Sequence, residues 1–190
     1  MKYYIIAGEA SGDLHGANLM RAIQRRDADA QFRFWGGDAM QQVAGEPVKH
    51  IRDLAIMGFI EVVMNLRSVL GNIALCKQDI LQFKPDVIIG IDYPGFNLKM
   101  AEFAHGQGYK VFYYIAPKVW ASREGRIKKI KAFVDKLYIV FPFEIPYFQR
   151  HGVPFTFVGN PLLDAVDNHP ALQETRQAFL ERTSLPDAPW

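Results

Sequence analysis

The sequence predicts a doubly wound α/β domain built on a parallel sheet, and three observations carry that expectation. Short runs rich in β-branched and aromatic residues recur along the chain. Most of these runs are continuously apolar rather than alternating, as strands covered on both faces must be. Stretches with helical spacing lie between them, joined by short connections, which is the pattern of repeated strand–helix units.

In chain order the first strand is "KYYIIA" at 2–7, followed by a helix over 13–26. "QFRFWG" at 31–36 is the second strand, and a long helical stretch follows at 58–83. The third, "DVIIGI" at 86–91, is wholly apolar after its first residue and leads to a helix at 97–107. "KVFYYI" at 110–115 precedes a helix at 123–134, and "KLYIVF" at 136–141 precedes one at 144–151. "FTFVG" at 155–159 closes the series. From Asp167 the pattern fades into one weak helix, striped by Leu172, Phe179 and Leu180, and a proline-bracketed end. The expected organisation is therefore a domain over 1–166 and a linker over 167–190.

Bulk properties exclude several classes. A formal net charge of +2 gives the whole chain no general attraction for nucleic acid, so none is expected as a partner. A lone cysteine, Cys76, rules out an internal disulfide framework and a cysteine-based zinc site. The histidines lack H-x-x-x-H and H-E-x-x-H spacing, so no metal is expected. The opening apolar run is too short for a signal peptide, and no window approaches the ~18 apolar residues of a membrane span. A cytoplasmic protein is expected, with contact to a membrane surface left open.

In such sheets ligands bind beyond the carboxyl ends of the strands. "GEASGD" at 8–13 occupies one such end. Gly8 and Gly12 permit a tight path and close approach of a ligand. Ser11 or Asp13 can cap the helix that follows. The loop matches neither a Walker sequence nor G-x-G-x-x-G. A capped turn accounts for most of it but not for Glu9, which suits a sugar hydroxyl.

"GIDYPGFN" at 90–97 places Asp92 at the end of the most apolar strand, with Pro94 and Gly95 stiffening the loop. A fixed, partly desolvated aspartate there can act as a general base. Capping of the next helix is the alternative role, for which Asn97 is better placed.

A helix over 58–75 gathers Phe59, Val62, Val63, Leu66, Val69, Leu70 and Ile73 on one face. Met57, Ile60, Met64 and Leu75 fall opposite, beside Arg67. Burial against the rest of the chain, or contact with acyl chains or a membrane, accounts for this second patch equally well. In "VWASREGRIKKIKAF" at 119–133, Ile127, Ile130, Phe133 and Val134 form the core stripe. Arg123 and Arg126 sit in the first turn, against the helix dipole, where a bound phosphate or anionic lipid would account for them.

Taken together and in this order, the stretches "AGEASGD", "LAIMGFIEV", "KPDVIIGIDYPGFN", "YIAPKVWA", "FPFE" and "GNPLLD" resemble the lipid-A-disaccharide synthase family. They run through nearly all of residues 3–164. The resemblance implies a GT-B glycosyltransferase fold of two Rossmann-like domains, of which this chain matches the N-terminal, acceptor-side half. Residues 167–190 would lead toward a C-terminal donor domain. The implied reaction joins UDP-2,3-diacylglucosamine to 2,3-diacylglucosamine 1-phosphate through a β-1,6 linkage with release of UDP, without a cofactor.

Asp92 becomes the candidate base. Gly8, Glu9, Ser11, Gly12 and Asp13 would meet sugar hydroxyls, and Met57, Glu61, Asn97, Trp120, Arg123 and Asn160 complete the implied substrate contacts. Met57, Ile60, Met64, Arg67, Leu75 and Arg126 would meet acyl chains or the inner-membrane surface, making the protein peripheral. A homodimer of the full-length protein and inactivity of this half alone are further expectations. The chain departs from the family at Ser122, where a second tryptophan is usual, and at Asn160, often histidine. The rival readings are a stand-alone flavodoxin-like module binding nucleotide or flavin, and a non-catalytic membrane-docking domain.

Overall fold

The computed structural model describes residues 1–54, 66–121, 124–167, 172 and 174–187. It divides into two compact units, Met1–Gly159 and Asn160–Trp190. The break falls before residue 167, where the periodic pattern fades.

The first unit is built on a parallel sheet of order β3-β2-β1-β4-β5-β6-β7. Its strands are β1 (Lys2–Ala7), β2 (Gln31–Gly36), β3 (Lys49–His50), β4 (Val87–Ile91), β5 (Lys110–Tyr114), β6 (Lys136–Ile139) and β7 (Thr156–Phe157). The strand order reverses between β1 and β4. Helices α1 (Ala10–Gln24), α2 (Asp38–Ala44), α3 (Leu66–Phe83), α4 (Pro94–Gly106), α5 (Arg126–Phe133) and α6 (Glu144–Arg150) lie between the strands.

The apolar runs are continuous because each strand feeds two cores. Tyr4 and Ile6 of β1 join Trp35, Ile88, Cys76 and Ile80 on one face. Ile5 and Ala7 join Ala17, Met20, Phe34 and Ile89 on the other. A third cluster forms around Tyr113, Leu137 and Phe148.

One core carries a polar knot. The Tyr4 hydroxyl donates to Asp79 Oδ2 at 2.8 Å and accepts from Trp35 Nε1 at 3.0 Å. Arg33 forks onto both Asp79 oxygens. The carboxylate thus ties α3 to β1 and β2. Asp79→Ala is expected to cost about 1–3 kcal/mol in urea unfolding, mainly because the buried Tyr4 O–H loses its acceptor. Arg33 is 46% exposed and adds little. An unchanged unfolding midpoint would show the knot to be neutral.

Several boundaries differ from expectation for local reasons. Helix α1 begins at Ala10 rather than 13, so Ser11 and Asp13 lie in its first turn, and Glu9 holds the cap position without a side-chain cap bond. Helix α4 begins at Pro94, whose fixed φ suits a first helical position, so Asn97 is inside the helix and does not cap it. Helix α2 and strand β3 are too short to show a period in the sequence. Leu70, expected in the core, is exposed; Ile73, Cys76 and Ile80 carry the inward stripe of α3. The expected patch residues Met57, Ile60 and Met64, together with Glu61 and Arg123, lie outside the described residues. Arg67 and Leu75 are exposed.

The second unit holds α7 (Pro161–Asp167) and α8 (Arg176–Thr183). Asn160 Oδ1 accepts from the Leu162 N–H at 3.0 Å, and Thr175 Oγ1 accepts from the Ala178 N–H. The weak helix expected beyond Asp167 corresponds to α8, with Leu172 lying before it. Among the described residues, no helix is long and apolar enough to cross a membrane.

Candidate active site

Register brings the candidate loops together. Ala7 pairs with Ile91, and Ile91 with Tyr114, so the residues that follow, Gly8, Asp92 and Ile115, leave the sheet level with one another. This edge is also where the strand order reverses, the place at which open α/β sheets bind ligands.

The backbone there is strained. Asp92 and Tyr93 have φ of +42° and +45°, and Ile115, a β-branched residue, has +62°. Non-glycine residues adopt this conformation only when their surroundings impose it, at about 1–3 kcal/mol each. The imposing groups are visible. The Asp92 carbonyl accepts from Asn97 Nδ2 at 2.9 Å and from the Tyr113 hydroxyl. The same Asn97 amide reaches the carbonyls of Ile6 and Ile91, pinning β1 to β4. Gly90 makes room for it, since a Cβ there would lie 3.1 Å from Asn97.

Asn97 is buried, so the substrate contact expected of it is replaced by this positioning role. Tyr93 closes over the first loop: a Cβ on Gly8 would lie 2.4 Å from its ring. Gly8 is therefore required by the neighbouring loop rather than by φ.

Asp92 itself is partly buried at the site. Burial, with the negative charge of Glu9 behind it, holds its carboxyl above the ordinary carboxylate value. The Lys118 ammonium, the Tyr93 N–H and the Arg126 guanidinium pull part of the way back. Arg126, expected at a lipid surface, thus acts electrostatically on Asp92 and also on the buried Tyr113 phenol.

Glu9 is exposed and lines a cleft of about 430 Å³ with Gly8, Ala10, Arg52, Leu54 and Tyr93. Ser11 is exposed in the first turn of α1, and Gly12 packs on Ala7.

Asp13 departs most from expectation. Only 6% exposed, it accepts from the backbone N–H groups of Gly37, Ala39 and Met40 at 2.7, 2.9 and 3.0 Å. The carboxylate expected to meet sugar hydroxyls is committed to the start of α2, where first-turn N–H groups lack intrahelical partners and the dipole favours a negative charge.

Beyond β5 and β6, Trp120 meets Phe143 edge-on with ring centroids 4.9 Å apart, and Phe143 stacks on Phe141. Trp120 and Phe143 are 41% and 51% exposed, leaving an open aromatic ledge. Buried Glu144 holds the turn beneath it by accepting from the N–H groups of Val140 and Phe141.

Sequence reasoning missed Lys118, Tyr93 and Tyr113. Lys118 sits in the quoted "APKVW" but carries no motif of its own. Tyr93 becomes significant only once Gly8 is known to lie beneath it. No cluster that could hold a metal ion occurs among the described residues.

A parallel sheet whose strand order reverses between β1 and β4, with helices between its strands, defines a Rossmann-like α/β domain of the GT-B class. The UDP-GlcNAc 2-epimerases of Neisseria meningitidis and Methanocaldococcus jannaschii share the fold, each with a TM-score of 0.69, at 14% and 16% identity. Each likeness covers 98% of this chain and 55% or 54% of the other.

The family model "Lipid-A-disaccharide synthetase" matches residues 3–186, and the chain belongs to that family. Lipid-A-disaccharide synthases of Trichlorobacter lovleyi and Geobacter metallireducens are each 43% identical to it, over 86% and 92% of its length. The chain spans 43% and 46% of those relatives, less than half of each.

Proposed function

We propose that this chain is the acceptor-side half of an inverting glycosyltransferase that joins UDP-2,3-diacylglucosamine to 2,3-diacylglucosamine 1-phosphate. The observation that carries the reading is Asp92, a desolvated carboxylate on strained backbone at the sheet's reversal point, with Lys118 and Arg126 acting on it.

Asp92 takes the proton of the acceptor's 6-hydroxyl as that oxygen attacks the donor's anomeric carbon. The new C–O bond forms as the bond to UDP breaks, UDP leaves with the electron pair, and attack from the opposite face gives the β-1,6 linkage. Glu9 and Ser11 accept from sugar hydroxyls, and Trp120 offers an apolar wall to the ring. Lys118 and Arg126 serve twice, keeping Asp92 ionised and facing the acceptor's phosphate.

The uridine nucleotide is held chiefly by the part of the full-length protein beyond this chain. The full-length enzyme works as a peripheral protein on the cytoplasmic side of the inner membrane, as a homodimer.

The full-length protein, given both substrates, is expected to release UDP and form the β-1,6 disaccharide, whereas these 190 residues alone form none. A folded full-length protein that releases no UDP with both substrates overturns the reading.

A further inference from the structure

A second cavity adjoins the Glu9 cleft and shares two of its walls, Leu54 and Tyr93. It has about 210 Å³ of space and runs between α3 and α4. Val69 and Ile73 of α3 line one side and Phe96 of α4 the other. Among the described residues, two polar side chains also line it. Lys99 is exposed, and Asn72 keeps a buried side-chain Nδ2 without a hydrogen-bond partner.

An apolar slot that opens beside the candidate base suits a hydrocarbon chain attached to the reacting sugar. A buried amide donor with no partner is costly, which calls for an acceptor atom arriving with the ligand. The carbonyl that links a fatty acyl chain to a sugar supplies one.

We propose that this slot binds a fatty acyl chain of the acceptor, with the Asn72 amide donating to the carbonyl of the acyl linkage. The proposal rests on the acceptor reading above and assigns the chain to the α3–α4 slot, not to the outward patch around Arg67 and Leu75. Tyr93 forms the shared wall: one residue from Asp92, it separates the sugar's place in the cleft from the chain's place in the slot. Burial in such a slot strengthens binding by up to about fourfold per methylene, so the rate at low acceptor concentration should rise with chain length until the slot is full.

Gly95 gives a clean test. It lines the slot, it has no positive φ, and a Cβ there meets no atom within 4 Å. Gly95→Leu and Gly95→Trp therefore fill the slot without forcing the backbone.

In the full-length enzyme, kcat/KM is measured for acceptors with short and long acyl chains. The long-to-short ratio is expected to fall at least tenfold in Gly95→Trp, and less in Gly95→Leu. Asn72→Ala is expected to raise KM about fivefold for both acceptors with little change in kcat. Ratios unchanged in folded Gly95 variants overturn the slot, whether it stays empty or is filled by the protein itself. An unchanged KM in Asn72→Ala overturns the role of the amide. Wild-type enzyme with no transfer to any acceptor rejects the glycosyltransferase reading itself, a result distinct from both.

Discussion

Asp92→Asn in the full-length enzyme is expected to lower kcat for glycosyl transfer by about 10²–10⁴, the usual worth of a positioned general base, with the fold intact. Asparagine is the informative substitution. It tolerates the positive φ at this position better than alanine, and it keeps the shape of the side chain. The groups that hold the loop, Asn97 and Tyr113, bind the backbone carbonyl of residue 92, which the substitution does not touch.

The pH profile supplies a second readout from the same residue. A base works only when ionised, so the rate falls as pH drops through its pKa. Burial and Glu9 hold the Asp92 pKa above the ordinary value of 3.8, and the acid limb should lie correspondingly higher. Glu9→Gln removes a repelling charge, favours the ionised form, and is expected to move the limb to lower pH. Lys118→Met removes an attracting charge and is expected to move it to higher pH. Near-normal kcat in Asp92→Asn, or limbs that shift in the same direction in both charge variants, would remove Asp92 from the role of base.

Asp13→Ala is expected to produce the largest loss of stability. The carboxylate is buried and accepts three backbone N–H groups from the β2–α2 junction. Removing it leaves those donors without a partner, at roughly 3–5 kcal/mol given that charged acceptors make the stronger bonds. For a protein of this size that corresponds to a fall in Tm of roughly 6–20 °C. Asp13→Asn keeps one acceptor oxygen but turns an amide toward a donor, so an intermediate loss is expected. Thermal unfolding of the chain checks both. An unmoved Tm, with a raised KM for the acceptor in the full-length enzyme, would return Asp13 to the substrate role that its motif suggests.

The contrast between Asp92 and Asp13 shows where a sequence is legible. In the sequence both stand shortly after an apolar strand, within two residues of a glycine and near the start of a helix. For Asp92 the relevant facts are local: an apolar strand that must be buried, a proline that starts the next helix, and a position at the carboxyl edge. For Asp13 the deciding partners are the N–H groups of Gly37, Ala39 and Met40 on another strand–helix junction, and nothing in "GEASGD" points to them. Asn97 follows the same logic, since its three carbonyl acceptors come from β1 and from the end of β4. Lys118 lies in the loop after β5 and Arg126 at the start of α5, and both act on the Asp92 carboxylate.

The sequence by itself determined the parallel α/β class and the positions of its longer strands, and so the carboxyl edge at which sheets of this kind bind ligands. Burial of both sheet faces and the local turn chemistry write those features into neighbouring residues. The ordered motifs also determined the family. Only the tertiary structure decided that Asp13 is committed to the fold while Glu9 lines the cleft. It also decided that Tyr93 closes over Gly8 and that α3 and α4 leave a slot between them. Such choices depend on register between strands far apart in the chain: a side chain's role is set by which donors and charges that register brings within hydrogen-bonding distance.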